Sequence, residues 1–464
     1  MIKPRKMKFY GLKDIDDIPQ LKLLTDEERF SIKVVSNVLP FRVNNYVVED
    51  LIDWNNIPDD PIYQLTFMQK EMLTDAQFNK MADVLKKSDA SPEEVKQTAE
   101  QIRLELNPHP AGQRLYNVPK IDDEPVPGVQ HKYRETVLVF PSSGQTCHAY
   151  CTFCFRWAQF VGMTDLKFAT DESKRFQEYL QNQTDVTDVL FTGGDPMIMS
   201  AKNLAVYIEP LLEPEFDHIQ NIRIGTKSVA YWPYKFVTDR DSDDTLRLFE
   251  KIVKSGKHLA IMGHYNHWIE LSTDIAQEAI SKIRDTGAQI RTQSPLIKHV
   301  NNDPAIWARM WKDQLSLGLI PYYFFVERNT GAEDYFSIPL YRAYEIYREA
   351  IRGLSGLCRT VRGPSMSALP GKVAVEGIAE IKGEKVFVLT MLQGRNPDWV
   401  KRPFFAKYDE NAKWLNDLKP AFGEEKFFYK DELDMIIKAK HGQMFFDVLS
   451  EENFITEASE DWDG

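Results

Sequence analysis

Short apolar runs alternate with amphipathic stretches between about residues 135 and 330 of the chain. Apolar runs of this length, separated by stretches of helical period, are typical of parallel strands joined by helices. The pattern predicts an α/β fold whose six strands curl into a partial (βα)6 TIM-like barrel. The predicted strands are Val137–Phe140, Val189–Phe191, Ile222–Gly225, His258–Gly263, Gln289–Gln293 and Ile320–Val326. The predicted helices are Asp171–Asn182, Ser200–Leu212, Asp244–Ser255 and Thr273–Thr286.

The sequence on either side of this alternating region has a different character. Helix-start signals at Thr25-Asp26-Glu27-Glu28 and Ser91-Pro92-Glu93-Glu94 predict a helical N-terminal region, and a proline-rich loop from Asn107 to Pro127 follows it. The last residues, Ser450 to Gly464, are acidic and predict a solvated tail. The expected organisation is an N-terminal helical region (1–120), the barrel (121–345), a third segment (346–400) and a C-terminal extension with the acidic tail (401–464).

Composition narrows the class of protein. The chain has 464 residues, of which 43% are hydrophobic, enough for a large core. The net charge of −12 argues against nucleic acid as the main partner. No window approaches eighteen uninterrupted apolar residues, and no apolar signal core follows the basic start, so neither membrane insertion nor export is expected. We therefore expect a large soluble enzyme, and the few cysteines, which do not form a disulfide framework, favour a reducing cytoplasm.

Three of the four cysteines lie within eight residues, as Cys147, Cys151 and Cys154 in a C-x3-C-x2-C motif. Such a loop can wrap one four-iron cluster, and three thiolates leave one iron without a protein ligand. The alternative is a zinc site, which prefers four tetrahedral ligands and would need Cys358, His148 or a distant residue as the fourth. The spacing favours the iron–sulfur cluster, and we expect Cys358 to be a buried thiol.

The second predicted strand ends in Phe191-Thr192-Gly193-Gly194-Asp195-Pro196. Glycines at such a place let the backbone approach a ligand closely, although Gly-Gly-Asp alone is an ordinary turn. The C-x3-C-x2-C motif, the aromatic Tyr150 before its second cysteine and this glycine pair together resemble the radical S-adenosylmethionine (SAM) superfamily. The resemblance implies that the open iron chelates the methionine part of SAM. It also implies that Gly193, Gly194 and Asp195 meet the amino group of SAM.

Further motifs, in order along the chain, resemble the lysine 2,3-aminomutase family over roughly residues 35 to 390. They are Val126-Pro127-Gly128-Val129-Gln130-His131-Lys132-Tyr133, Asp188-Val189-Leu190-Phe191-Thr192-Gly193-Gly194-Asp195, Ile222-Arg223-Ile224-Gly225-Thr226, Tyr265-Asn266-His267, Gln293-Ser294-Pro295-Leu296 and Ile320-Pro321-Tyr322-Tyr323. Members of that family carry pyridoxal 5′-phosphate (PLP) as well as the [4Fe-4S] cluster and SAM.

The family's PLP lysine corresponds to Lys372, in Ser367-Ala368-Leu369-Pro370-Gly371-Lys372. A lysine after Pro-Gly is expected on a flexible turn that frees its amine. The family has a longer glycine run here, and an arginine that helps to hold the PLP phosphate corresponds to Thr136. We expect Lys132, or Arg134, to take its place, although an ammonium cannot form the bidentate clamp of a guanidinium.

The resemblance also bears on the substrate. Arg156 matches the arginine that pairs with the substrate carboxylate, which an arginine fork fits well. Two aspartates that neutralise the ammonium of lysine are missing, since Ser365 stands at one position and the segment with Glu327 and Arg328 has shifted at the other. Because an unpaired buried ammonium is costly, we do not expect lysine as the substrate. Glutamate, another amino acid or a small peptide-like amine remain open. The family's C-terminal zinc cysteines are absent, so no zinc is expected.

The resemblance implies an isomerase. Reductive cleavage of SAM would give a 5′-deoxyadenosyl radical, and this radical would drive a PLP-assisted 1,2-amino shift on an amino acid. A reductant such as flavodoxin or ferredoxin is an implied partner, and a homo-oligomer is possible. One alternative is a PLP-independent radical SAM enzyme of the same family. Another is a protein without enzymatic activity that carries a structural zinc or a sensing iron–sulfur cluster.

Overall fold

The computed structural model describes residues 2–106, 117–162, 169–170, 173–327 and 330–441. Its strands in chain order are β1 (Phe9–Gly11), β2 (Arg42–Asn44), β3 (Lys120–Ile121), β4 (Glu124–Pro125), β5 (Val129–Tyr133), β6 (Thr136–Val139), β7 (Asp188–Phe191), β8 (Asn221–Thr226), β9 (His258–His264), β10 (Gln289–Leu296), β11 (Ile320–Val326), β12 (Arg362–Ser367), β13 (Gly371–Ile381), β14 (Glu384–Gly394) and β15 (Phe404–Lys407).

Strands β5 to β15 form one mixed sheet in which every strand lies beside its neighbours in the sequence. The strands from β6 to β12 are parallel. Strand β5 is antiparallel to β6, and β12 to β15 are antiparallel to one another. The predicted α/β class is therefore confirmed as an α/β fold with a large mixed sheet. Because parallel neighbours need crossover connections, helices join the central strands.

The helices lie between the strands and in the N-terminal region. They are Asp26–Val38, Pro61–Thr66, Asp75–Lys86, Pro92–Glu105, Ser173–Gln181, Ala201–Ile208, Ser228–Tyr231, Ser242–Lys254, Asp274–Asp285, Pro304–Ser316, Glu333–Phe336, Leu340–Arg352 and Lys430–His441. Side-chain caps begin many of them, as where Thr273 accepts from the N–H of Ala276. An apolar stripe buries the inner face, as with Leu248, Phe249 and Ile252.

All six predicted strands are present, and Ile320–Val326 coincides with β11. Strand β10 runs three residues beyond its prediction, through Pro295 to Leu296. Pro295 lacks an N–H and cannot donate to a neighbouring strand. Its pairing with β11 nevertheless continues through Leu296. The predicted helix Ser200–Leu212 stops at Ile208 and continues as a 3-10 turn that contains Pro210. Asp171, where another helix was predicted to begin, lies outside the described residues.

The N-terminal helices begin where the sequence predicts. Thr25 accepts from the N–H of Glu28, whose carboxylate accepts in turn from the N–H of Thr25, and Ser91 accepts from the N–H of Glu94. Apolar side chains of this region share one core with those of the central strands. A second core lies around β12 to β15 and the helix Lys430–His441. Residues 107–116 of the proline-rich loop and the whole acidic tail lie outside the described residues.

Two interactions join distant parts of the sheet. Lys132, on β5, donates a hydrogen bond from Nζ to the carbonyl oxygen of Ala368, just after β12. Arg223, on β8, lies close enough to Lys372, on β13, to lower the pKa of its amine. In the order of the sheet, several strands separate the members of each pair. Among the described residues, no helix has the length and apolar character needed to cross a bilayer.

Candidate active site

The cysteine loop, residues 142–160, leaves the carboxyl end of β6 and is held by the N-terminal region. The N–H of Tyr150 donates to the carbonyl of Arg42 (2.8 Å), and the N–H of Thr152 donates to the carbonyl of Leu65 (3.0 Å). The buried Asn44 side chain donates to the carbonyl of His148 (3.0 Å). These bonds fix the backbone on either side of Cys151, so that the loop has a defined shape within the protein itself.

Cys147, Cys151 and Cys154 are free thiols and partly buried. Burial raises the pKa of all three, that of Cys151 to about 12, and neighbouring charges modify it. For Cys147 these include the charges of Cys154 and Cys151, so the three sulfurs lie near one another. Thiolates this close need a cationic partner, and soft sulfur ligands fit an iron–sulfur cluster.

The described side chains contain no group of three or more His, Cys, Asp or Glu residues arranged to hold a single metal ion.

Gly193 and Gly194 pack directly against the cysteine loop. A Cβ atom on Gly194 would lie 2.6 Å from both the N and the O of Thr146, and one on Gly193 would lie 2.4 Å from Nε2 of Gln145. Gly193 also has φ of +154°, which disfavours other residues. Both glycines are needed so that β7 can end against the loop that carries Cys147.

Asp195 continues this contact and ties the loop to β8. Its N–H donates to the carbonyls of Gly144 (3.0 Å) and Thr146 (2.8 Å). Its buried carboxylate accepts from Thr226 Oγ1 (2.7 Å), Lys227 N (2.9 Å), Ser228 Oγ (3.0 Å) and Met197 N (2.9 Å). Burial raises the pKa of this carboxyl although those donors oppose the shift. The structure thus gives Asp195 a positioning role, and contact with the amino group of SAM stays a prediction.

Arg156 lies in the same loop, with its guanidinium over the ring of Phe140 at 4.7 Å. Its Nη2 donates to the side-chain oxygens of Gln145 (2.9 Å) and Gln159 (2.8 Å). Burial lowers the pKa of Arg156 to about 10, while the nearby Cys154 and Cys147 oppose this shift. The residue is placed beside the cysteines, and its pairing with a substrate carboxylate stays a prediction.

A buried polar group beside Cys151 was not singled out from the sequence. Lys227 donates to Glu270 Oε1 (2.5 Å) and Asn266 Oδ1 (2.8 Å), and its ammonium lies 4.4 Å from the ring of Tyr231. The Tyr231 hydroxyl is 3.9 Å from Cys151 Sγ. Lys227 directly follows β8. Its position at the carboxyl end of a parallel strand could have identified it from the sequence as a candidate site residue.

Lys372 lies in strand β13, and the prediction of a flexible turn is therefore wrong. It is paired in register with Ser367 of β12 and Gln393 of β14, and its Nζ lies 3.8 Å from the ring of Tyr323. A Cβ atom on Gly371 would lie 2.2 Å from the Gln393 carbonyl, so this glycine serves close strand packing rather than mobility. Burial, with the charges of Arg223 and Arg362, lowers the pKa of Lys372 well below its usual range.

The other residues predicted to bind a cofactor or substrate have different surroundings. Lys132 contacts the Ala368 carbonyl, within the loop that leads to Lys372. Ser365 is buried, with its hydroxyl 3.4 Å from the carbonyl of Phe324. Arg328 lies outside the described residues. Glu327 accepts from Thr330 (3.0 Å), and burial together with the charge of Glu333 raises its pKa well above the usual range.

Three arginines near Lys372 were also missed, namely Arg223, Arg291 and Arg362. Arg362 stacks on the rings of Tyr322 (4.3 Å) and Tyr323 (4.4 Å), and Arg291 lies 5.3 Å from the ring of Tyr322. Because the sheet brings these side chains together from separate strands, their spacing in the sequence gives no signal.

Comparison with known proteins gives several matches, although no protein-family model matches the chain. A protein from Aquifex aeolicus described as a putative L-lysine 2,3-aminomutase is 29% identical over 417 residues, which are 89% of this chain and 97% of the relative. The L-lysine 2,3-aminomutase of Acetoanaerobium sticklandii is 29% identical over 51% of this chain and 53% of its own.

A third relative is named for a different amino acid. The glutamate 2,3-aminomutase of Clostridioides difficile is 23% identical to this chain over 73% of this chain and 68% of its own. Its presence beside the lysine enzymes shows that the chain is similar to aminomutases of more than one named substrate. The chain is thus similar over most of its length to proteins named 2,3-aminomutases, and the resemblance predicted from its motifs is confirmed.

Proposed function

We propose that the protein is a radical SAM aminomutase, an isomerase that moves an amino group between adjacent carbons of an amino acid other than lysine. The observation that carries this proposal is the environment of Lys372. Its amine is held in a strand against Tyr323 and has a strongly lowered pKa. A lowered pKa increases the uncharged, nucleophilic fraction of this amine, which attachment to an aldehyde cofactor requires.

The residues present fit the cofactors of the homologous family. Cys147, Cys151 and Cys154 would ligate three irons of a [4Fe-4S] cluster and leave the fourth for SAM. Lys372 would hold PLP, and Lys132 is placed near enough to its loop to serve the phosphate. When bound, the cluster and SAM supply a 5′-deoxyadenosyl radical, and PLP supplies a π-system next to the migrating nitrogen.

The protein's own residues would position the reacting groups. Gly193, Gly194 and Asp195 fix the cysteine loop, and Arg156 presents a guanidinium beside it. His264, at the end of β9, has a buried ring nitrogen, Nε2, with no hydrogen-bond partner among the described residues. Such an orphaned atom near the loop residue Phe153, whose ring is 5.9 Å away, supports a ligand there.

We also infer that the mixed sheet curls toward a partial barrel. Seven strand-to-strand steps separate β12 from β5, a path of roughly 34 Å at the usual strand spacing. A lysine side chain is far too short to cross that distance, yet Lys132 on β5 reaches Ala368 beside β12. A concave sheet brings the two together and would enclose Lys372 on its inner face.

The proposed substrate follows from the polar groups near Lys372. The positions that would carry two aspartates in a lysine enzyme hold Ser365, which faces a backbone carbonyl, and a segment whose Glu327 faces Thr330. A distal ammonium would thus find poor compensation. A small reductant protein such as flavodoxin or ferredoxin, and a cytoplasmic setting, complete the proposal.

The decisive experiment is anaerobic purification, borohydride reduction and mass-spectrometric mapping of any pyridoxyl adduct. We expect the adduct on Lys372 and its loss in Lys372→Met, while Lys407→Met, which changes an exposed lysine on β15, retains it. Protein that contains its cluster and cleaves SAM but carries no adduct would contradict the proposal and favour the PLP-independent alternative.

A further inference from the structure

Three arginines and a lysine lie together on the sheet around Tyr322 and Tyr323, and we call Arg223, Arg291, Arg362 and Lys372 the basic cluster. The guanidinium of Arg362 and the amine of Lys372 lie 4.4 and 3.8 Å from the same Tyr323 ring centroid. Their separation therefore cannot exceed the sum of these two short distances. Arg223 and Arg362 are both close enough to Lys372 to lower the pKa of its amine.

Little negative charge balances this cluster among the described residues. Asp188 pairs with Arg223 at 2.6 Å. Within the part of the chain that the structure describes, no carboxylate forms an ion pair with Arg291, Arg362 or Lys372. The stacked tyrosine rings stabilise a cation partly, but they accept no in-plane hydrogen bond from a guanidinium.

Two other lysines of low exposure have carboxylate partners, whereas the buried Lys257 donates to the carbonyls of Phe216 and Ile219. Lys227 pairs with Glu270 at 2.5 Å, and Lys235 pairs with Asp241 at 2.8 Å. These pairs follow the general rule that buried charges have partners. The basic cluster lacks such carboxylate partners for Arg291, Arg362 and Lys372, which indicates that its counter-charge comes from a bound molecule.

One unsatisfied hydrogen-bond donor indicates where that molecule would lie. Nη2 of Arg362 is buried and has no hydrogen-bond partner among the described residues. A buried, unsatisfied donor on a charged group is costly, so a position of this kind is expected to be filled in the working protein. The orphaned donor belongs to the residue that shares the Tyr323 ring with Lys372.

We propose that Arg362, supported by the charges of Arg223 and Arg291, binds an anionic carboxylate or phosphate group of the molecule held beside Lys372. The identity of that molecule rests on the proposed function: the group is either the side-chain carboxylate of an acidic amino acid substrate or the phosphate of PLP. A planar guanidinium presents two parallel donors to either anion. Arg362 was not among the residues predicted from the sequence.

The test measures binding rather than turnover, by anaerobic calorimetry on the purified full-length chain. The variants are Arg362→Gln, Arg362→Lys and the control Arg359→Gln, since Arg359 is exposed and its side chain donates to the Arg352 carbonyl. The probes are PLP, L-glutamate, L-aspartate and the neutral L-glutamine. Melting temperatures of all variants confirm that each is folded.

If the anion is the substrate carboxylate, Arg362→Gln lowers the affinity for glutamate or aspartate by about tenfold or more. The affinities for glutamine and PLP stay unchanged. If the anion is the phosphate, the affinity for PLP falls by a similar factor. In both cases Arg362→Lys retains part of the affinity and Arg359→Gln all of it. Unchanged affinities for every probe in folded Arg362→Gln, or a wild-type protein that binds none of the anions, would overturn the proposal.

The two proposals can fail separately. Absence of a pyridoxyl adduct on Lys372 would reject the aminomutase function. Binding of inorganic phosphate or glutamate that is lost in Arg362→Gln would still support the anion site. Conversely, a normal adduct with affinities that are insensitive to Arg362 would keep the aminomutase and reject the anion site.

Discussion

The cysteine loop and the basic cluster differ in where their polar groups find partners. Around the cysteines, backbone bonds to Arg42 and Leu65 and from the N–H of Asp195 to the carbonyls of Gly144 and Thr146 hold the loop from several sides. Around Lys372, stacked cations share two tyrosine rings, and a donor of Arg362 stays unsatisfied within the described residues. The first region is completed by the protein, whereas the second is built to be completed by a ligand.

This difference separates two parts of the proposed reaction. The loop that would generate the radical keeps the motif of its family, since cluster geometry tolerates little change. The region that would hold the amino acid departs from the family at Ser365 and carries Arg362 nearby. Under the proposed function, the chemistry and the choice of substrate would be encoded in separate regions.

The largest effect is expected from Cys151→Ala. Loss of one of three thiolates should abolish stable cluster binding, measured as iron and sulfide per chain after anaerobic reconstitution. Cys358→Ala, at a buried cysteine whose neighbour is Ser355, should retain the iron. Equal iron content in the two variants would contradict the assignment of the cluster to this loop.

Gly194→Ala tests how tightly the first region is built. The new methyl group would lie 2.6 Å from backbone atoms of Thr146, so the loop must shift, at a cost of about 2 kcal/mol in the free energy of unfolding. Gly353→Ala is the matched control, since a Cβ atom there meets nothing within 4 Å. Chemical denaturation measures both, and equal stabilities would show that the loop is not held against β7.

Lys372→Met tests the second region through pH. Burial lowers the pKa of Lys372, so between that lowered value and its unfolded value the unfolded chain binds more protons than the folded one. This lysine therefore makes stability rise with pH up to about 10.4, where the unfolded amine loses its proton. In the ligand-free protein, Lys372→Met should be the more stable at neutral pH, and the difference should shrink as pH rises.

The control for this pH series is Lys407→Met, at an exposed lysine, which should show no such convergence with the wild type. Melting temperatures in matched buffers from neutral pH upward are sufficient. A constant difference between Lys372→Met and the wild type would mean that Lys372 does not titrate differently on folding.

The smallest effect is expected from Tyr231→Phe. A thiolate ligand can only accept hydrogen bonds, so the Tyr231 hydroxyl, 3.9 Å from Cys151 Sγ, would donate to it and stabilise the more negative reduced cluster. Removing the hydroxyl should lower the reduction potential by on the order of 40 mV, from about 1 kcal/mol for the bond. Redox titration followed by electron paramagnetic resonance measures it, and an unchanged or higher potential would contradict this role.

Much of the fold could be predicted from the chain, because strand and helix periods are local. The six central strands and the caps at Thr25 and Ser91 all appear in the structure. Strands β12 to β15 were not predicted as part of the sheet, since antiparallel pairing of β13 with β14 depends on a register that no short pattern displays. Lys372 was placed on a turn because Pro-Gly is a turn signal, and the sheet overrode that local preference.

The sequence by itself determined the chemistry that depends on close spacing: three cysteines within one loop, a glycine pair at a strand end and a lysine that matches a family motif. The tertiary structure alone decided what surrounds Lys372, since Arg223, Arg291 and Arg362 come from strands that are far apart in the chain and meet on one sheet. The physical reason is that ligand spacing within a loop is a local property. Charge balance in an interior depends on which side chains the fold brings together, and burial then makes each unpaired charge costly.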